Sequence, residues 1–274
     1  MKPVVRLIAA DMDGTLLNEH SQVSPRTAYA IQQARAKGIH FAASTGRFPD
    51  DASMVMLDAG IDGPIISLNG CVISDKPLGS VLTEHLMTKE TAQCAVDVLE
   101  DLGEGYFIFA RDAVYSRYKK TRHHSETDFI DRKEIKDRVK YYYGREACLD
   151  AVNHPIYKFY VYRSESGHSL AEISDALDCV PQYSLTQSSI NNIEIMPANI
   201  SKGTGLRDLA ERLNIRPEHI LALGDQLNDV PMLEYAGISV AMGNAAQAAK
   251  DAAIHLTASN MDDGVAEAIH RFCL

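Results

Sequence analysis

Asp11 and Asp13 follow a short apolar run, Val4 to Ala10, and lead into Gly14 and Thr15. Side chains two residues apart on an extended segment project to the same side, so both carboxylates can face one point beyond the strand's carboxyl end. Open α/β sheets bind ligands there. A second acidic group has the same setting, because Ile220 to Leu223 reads as a short buried strand that runs into Gly224-Asp225-Gln226-Leu227-Asn228-Asp229. Taken singly, Asp-x-Asp, Gly-Asp and Asn-Asp are ordinary turn sequences. Together, Asp11, Asp13, Asp225 and Asp229 form an oxygen-rich set of the kind a hard cation such as Mg²⁺ selects. Two unit charges ~4 Å apart interact by ~4 kcal/mol at an effective dielectric near 20, so the acids require compensation.

Groups able to hold an anion recur at neighbouring strand ends. The run Ile39 to Ala43 delivers Ser44-Thr45-Gly46-Arg47, and Pro64 to Leu68 delivers Asn69-Gly70. Ser201-Lys202-Gly203 opens a helix whose Leu206, Leu209, Ala210 and Leu213 recur at i, i+3, i+4 and i+7. A lysine in the first turn opposes the helix dipole. An anion bound there reverses the sign, since the backbone N–H groups, the dipole and the ammonium of Lys202 then all face it.

The elements that must position these residues divide into two textures. In the first 80 residues apolar strands alternate with amphipathic helices, as in a parallel sheet covered by helices. The first helix is marked by Ser24 as cap, Pro25 in its first turn, Ala28, Ile31, Ala34 and Arg35 along it, and Gly38 at its end. From about residue 83 to 192 the pattern becomes α+β. Runs such as Tyr106 to Ala110 and Ile156 to Tyr162 alternate there with charged helices around Thr88 to Leu102 and His168 to Leu177. The stretch Tyr118 to Lys140 reads as a solvated charged surface, and its adjacent His123 and His124 point apart on any regular element, so zinc is not expected. The expected fold is α/β, a doubly wound parallel Rossmann-like sheet from residues 1–82 and 193–274 with an α+β domain, 83–192, inserted in it.

Composition narrows the partners. A chain of 274 residues with 46% hydrophobic content can bury a large core. A net charge of -10 argues against nonspecific nucleic-acid binding, which needs basic residues to displace counterions. No run reaches the length of a membrane-spanning helix, and the apolar start is interrupted by Arg6, so neither an anchor nor a signal peptide is expected and a cytoplasmic protein is. Five scattered cysteines without Cys-x-x-Cys spacing fit reduced thiols. Oligomeric state is not legible.

Asp11-Met12-Asp13-Gly14-Thr15, Ser44-Thr45-Gly46-Arg47, Lys202-Gly203 and Gly224-Asp225-x-x-Asn228-Asp229 resemble, in order and strand context, the four motifs of the Cof-type branch of the haloacid dehalogenase superfamily. In that branch an α+β substrate-screening cap of type IIB stands where residues 83–192 fall. The resemblance implies a Mg²⁺-dependent phosphatase acting on small phosphorylated metabolites, sugar phosphates first, with pyridoxal phosphate or a flavin-pathway phosphate as further options. It implies Asp11 as nucleophile forming an aspartyl-phosphate and Asp13 as general acid and base. It further implies Asp11, Asp225 and the Asp13 backbone carbonyl at the metal, with Asp229 holding its neighbours in place. Thr45, Gly46, Lys202 and Asn228 would hold the phosphoryl group. A sugar phosphomutase shares this core, and a noncatalytic phosphoacceptor or sensor is a further alternative.

Overall fold

The computed structural model describes residues 4–118, 138–162 and 167–274, so most of the stretch read as solvated surface, His123 and His124 included, lies outside the described residues. The chain divides into two compact units, Met1–Glu84 with Ile200–Leu274, and His85–Asn199. Strands β1 (Leu7–Ala10), β2 (His40–Ser44), β3 (Ile65–Ser67), β4 (Val72–Ser74) and β5 (Val81–Glu84) come first. The second unit holds β6 (Gly105–Ala110), β7 (Ala113–Ser116), β8 (Lys140–Tyr143), β9 (Ile156–Tyr162), β10 (Tyr183–Thr186) and β11 (Asn192–Pro197). Strands β12 (Ile220–Gly224), β13 (Ile238–Ala241) and β14 (His255–Leu256) return to the first unit. The described α-helices are α1 (Pro25–Ala36), α2 (Pro49–Asp58), α3 (Lys89–Leu102), α4 (Arg145–Ala151), α5 (Leu170–Ala176), α6 (Lys202–Arg212), α7 (Val230–Tyr235), α8 (Gln247–Ala252) and α9 (Gly264–Phe272).

The sheet of the first unit has the order β14-β13-β12-β1-β2-β3-β4-β5. Pairing is parallel from β14 through β3, as the continuous apolar runs of β1 and β12 require of strands buried on both faces. The pairs β3/β4 and β4/β5 are antiparallel. A three-residue turn, Leu68–Gly70, cannot carry a parallel crossover and so reverses the chain, with positive φ at Leu68 (48°) and Asn69 (53°). The sheet is therefore parallel only up to β3. Ser24 caps α1 as expected, but the buried face is Thr27, Ala30, Ile31 and Ala34, with Ala28 and Arg35 only partly covered. In α6 the buried set includes Leu206, Leu209 and Ala210, and Leu213 is partly buried.

The second unit carries a six-stranded sheet, β10-β11-β9-β6-β7-β8, antiparallel except at β7/β8. Tyr106 and Ile108 of β6 and Phe159 and Val161 of β9 pack with Ala95, Val96 and Leu99 of α3, Cys148 of α4 and Ile173 of α5. Lys158 lies over the Phe109 ring, 5.3 Å from its centroid, and forms a buried pair with Glu194. Glu194 Oε1 also accepts from Ser188 Oγ (2.7 Å) and Asn192 Nδ2 (3.3 Å), the added hydrogen bonding that a buried ion pair needs. Because β11 pairs with β9 and β10, the chain leaves this unit after Asn199, not before residue 193. The five cysteines are free thiols, and burial pushes Cys148 and Cys273 up to about 12. Among the described residues no helix is long and apolar enough to cross a membrane.

Candidate active site

Strand β1 lies between β12 and β2, with Ala10 level with Leu223 on one side and Ala43 on the other. Asp11 N donates to Leu223 O at 3.0 Å, so the chain segments carrying Asp11 and Asp225 leave the sheet side by side. Two glycines permit the approach. At Gly14, whose φ is +81°, a Cβ would stand 2.3 Å from Asp225 Oδ2, and at Gly224 it would stand 2.5 Å from Asp229 Cβ. Asp11, Asp225 and Asp229 thus each offer an oxygen within 4.8 Å of the others, and all three are buried.

Lys202, the first residue of α6, is buried among them. Its Nζ is 2.5 Å from Asp11 Oδ1 and 2.6 Å from Asp229 Oδ1. The other oxygen of Asp229 accepts from the backbone N–H groups of Asp225 (2.9 Å) and Gln226 (3.0 Å). Asp229 therefore has both oxygens engaged by protein donors, which suits it to fixing Lys202 and the Asp225 loop. Thr15 Oγ1 donates to Asp225 Oδ1 at 2.8 Å and Gln226 Nε2 to Asp225 Oδ2 at 3.2 Å.

Burial pushes Asp11 well above the usual carboxylate range; Lys202 opposes the shift, while Asp229 and Asp225 reinforce it. Burial and then Asp229 push Asp225 up to about 6. Burial alone would depress Lys202, but Asp11 and Asp229 together hold it above its ordinary value. Three buried carboxylates face one ammonium, an excess of negative charge in an all-oxygen donor set. These residues fit a hard divalent cation.

The shift of Asp225 has a stability consequence. An unfolded aspartate titrates near about 3.9, and Asp225 in the fold near about 6. Its protonation stabilises the fold, fully below the unfolded value, and this contribution is lost as pH rises through the folded one. Metal-free protein is expected to gain melting temperature from this group as pH falls from about 7.5 to 5.5, and Asp225→Asn to lose that part of the gain. Equal pH slopes for the two proteins in EDTA would show that Asp225 ionises at an ordinary value.

Asp13 stands apart from the three-carboxylate cluster. Its side chain is 57% exposed and lies against Arg47, with Nε to Oδ2 at 2.7 Å and Nη2 to Oδ1 at 2.6 Å. Arg47 Nη1 also reaches Asp51 Oδ2 at 2.8 Å, and these two acids hold the guanidinium above its ordinary pKa against the opposing effect of burial. Thr45 Oγ1 accepts from Arg47 N (3.1 Å), which ties the Thr45-Gly46-Arg47 loop together, and Thr45 O accepts from Asn69 N (2.9 Å). Asn228 Nδ2 donates to Asn69 Oδ1 at 3.2 Å, which uses one of the two N–H donors of that amide. Sequence reasoning missed the contacts made by Asp51 and Gln226 and the pairing of Arg47 with Asp13. The Asp at the third position of α2, four residues after Arg47, was the available signal.

The family model of haloacid dehalogenase-like hydrolases matches residues 8–269, and the chain belongs to that family. It is a phosphatase. The phosphatase YwpJ of Bacillus subtilis (strain 168) is 33% identical over 96% of this chain and 98% of its own length. The 5-amino-6-(5-phospho-D-ribitylamino)uracil phosphatase YcsE of the same organism is 30% identical over 98% and 96%. Among solved structures, a haloacid dehalogenase-like hydrolase from B. subtilis superposes with a TM-score of 0.85 at 31% identity, covering 97% of this chain and 99% of that one. The subclass IIB sugar phosphatase BT4131 shares the fold, with a TM-score of 0.81 at 22% identity over 98% and 99%.

Proposed function

We propose that the protein is a Mg²⁺-dependent phosphatase of small phosphorylated metabolites, with sugar phosphates as the foremost substrates. The observation that carries this reading is the buried Asp11, Asp225, Asp229 and Lys202 cluster at the ends of β1 and β12 and the start of α6. Asp11 attacks phosphorus, forming an aspartyl-phosphate as the bond to the leaving oxygen breaks, and Asp13 gives that oxygen its proton. Water then attacks the same phosphorus, Asp13 takes the proton, and the bond to Asp11 breaks. One hard displacement becomes two easier ones. Lys202, the Thr45 hydroxyl and the Gly46 backbone hold phosphoryl oxygens, and Asn228 is a further contact. Asp11, Asp225 and the Asp13 carbonyl would hold Mg²⁺, which supplies charge compensation for the transferring group. Asp229 keeps Lys202 and Asp225 in place.

In this reading the unit Met1–Glu84 with Ile200–Leu274 carries the chemistry, and the inserted unit His85–Asn199 acts as the cap that selects the leaving group. The relative named for a ribitylamino-uracil phosphate makes a flavin-pathway phosphate the second substrate class. A panel of phosphorylated metabolites, read by phosphate release with Mg²⁺ and with EDTA, tests the proposal. Sugar phosphates should head the ranking, EDTA should silence turnover and Mg²⁺ restore it. Exchange of the inserted unit for that of a relative with another preference should change the ranking but not the Mg²⁺ requirement. Full activity in EDTA would overturn the metal assignment, and an unchanged ranking in an active chimera would move selectivity to the core loops.

A further inference from the structure

We infer that Asn244 and Asn260 are positioning residues for the turn that carries Asp13, an inference that rests on the proposed role of Asp13 in proton transfer. The turn closes on itself, since Leu16 N donates to Asp11 O (3.2 Å) and Leu17 N to Met12 O (2.9 Å). Besides the pairing of the Asp13 side chain with Arg47, the turn is attached to the rest of the unit from two sides. On one, Thr15 Oγ1 donates to Asp225 Oδ1, and Gly14 lies too close to Asp225 for any side chain. On the other, Asn244 Nδ2 donates to Gly14 O at 2.8 Å, Asn244 Oδ1 accepts from Asn260 N at 3.0 Å, and Asn260 Nδ2 donates to Leu17 O at 2.7 Å.

These partners fix both amides. A carbonyl requires the NH₂ end of Asn244 and a backbone N–H requires its oxygen, so only one orientation serves both contacts. The loop bearing Asn244 is itself fastened to the segment carrying Asp225, through Met242 N to Gly224 O (3.1 Å) and Ala246 N to Asp225 O (2.8 Å). Gly14 is therefore held between Asp225 and Asn244, one residue after an Asp13 whose own side chain is more than half exposed. Proton transfer needs heavy atoms within about 2.6–3.2 Å of each other, and a displacement of about 1 Å can lower a rate about 10²-fold. A displaced Gly14 carries Asp13 with it.

The test uses two substrates, because proton donation matters when the leaving group is an alkoxide and little when it is a nitrophenolate. Asn244→Ala should lower kcat/KM on an alkyl phosphate roughly tenfold and on p-nitrophenyl phosphate less than about threefold. Asn260→Ala should show the same split, smaller. Asp13→Asn is the benchmark, with an alkyl phosphate loss of about 10²-fold or more and again a smaller aryl loss. If Asp13→Asn lowers both substrates equally, the role given to Asp13 is wrong. If Asp13→Asn splits them while Asn244→Ala lowers both equally or neither, the positioning inference is wrong. Should Asn244→Ala fail to fold, equal losses in Asn260→Ala overturn it.

Discussion

Asp11→Asn protein is expected to fold as the wild type does and to lose turnover by about 10⁴-fold or more, the scale on which removal of a covalent nucleophile acts. The amide keeps the shape of the side chain at the end of β1 but has no carboxylate oxygen to attack phosphorus. Its effect on stability should be small or favourable. Burial already pushes Asp11 toward its neutral form, so replacing it with a neutral group removes a charge the fold holds at a cost. Lys202 remains paired with Asp229 in the variant. Phosphate release on the best substrate of the panel, with Mg²⁺ present, and a thermal melt measure the two halves of the expectation. Near wild-type turnover in a cleanly folded Asp11→Asn protein would remove Asp11 from the covalent role and leave the cluster as a binding site.

Sequence made this cluster legible because its signals are local. Each acid follows an apolar strand, and parallel strands of a covered sheet end at one edge, so Asp11 and Asp225 needed no long-range contact to be placed together. Lys202 was marked by its position in the first turn of α6, against the dipole. The inserted unit announced itself by a change of texture, but its strand order did not follow, since pairing β9 between β11 and β6 depends on contacts between segments far apart in the chain.

What was missed is either side-chain pairing at distance or a polar residue on a buried face. Arg47 reads as the end of an anion-binding loop, and only the fold brings its guanidinium onto Asp13. Asn244 and Asn260 sit in stretches whose composition is that of any turn, and their contacts with Gly14 and Leu17 span more than 200 residues. In α1 the residues Ala28, Ile31, Ala34 and Arg35 recur at helical spacing, whereas the buried face is Thr27, Ala30, Ile31 and Ala34. Thr27 is buried in that face because its hydroxyl donates to Asp263 at 3.3 Å, which hydrophobic periodicity cannot register. Leu68 with φ of 48° gives no sequence sign of the reversal between β3 and β4, since a branched apolar residue is a poor candidate for that conformation.

Lys202→Met is expected to abolish turnover and also to destabilise metal-free protein by about 3–5 kcal/mol, the range for removing one partner of a buried ion pair. Methionine fills much of the same volume, so the loss is one of charge. Asp11 and Asp229 would each lose the ammonium now within 2.6 Å, and with Asp225 they would leave three buried carboxylates with no cation among them. The variant can relieve this repulsion by taking up protons. Asp11 and Asp225, already raised in the wild type, then lie still further above the unfolded value, and the associated stability is lost as pH rises through their folded values. The deficit against wild type should therefore grow from about pH 5.5 to about pH 8. Excess Mg²⁺ should recover part of it, since ligand at 100 times its Kd contributes about 2.7 kcal/mol to the folded state. Thermal or denaturant melts at the two pH values, with EDTA and with Mg²⁺, read all of these effects. A Lys202→Met protein within about 1 kcal/mol of wild type at pH ~8 in EDTA would mean that the carboxylates do not carry the charge assigned to them, and the case for a divalent cation at this site would fall with it.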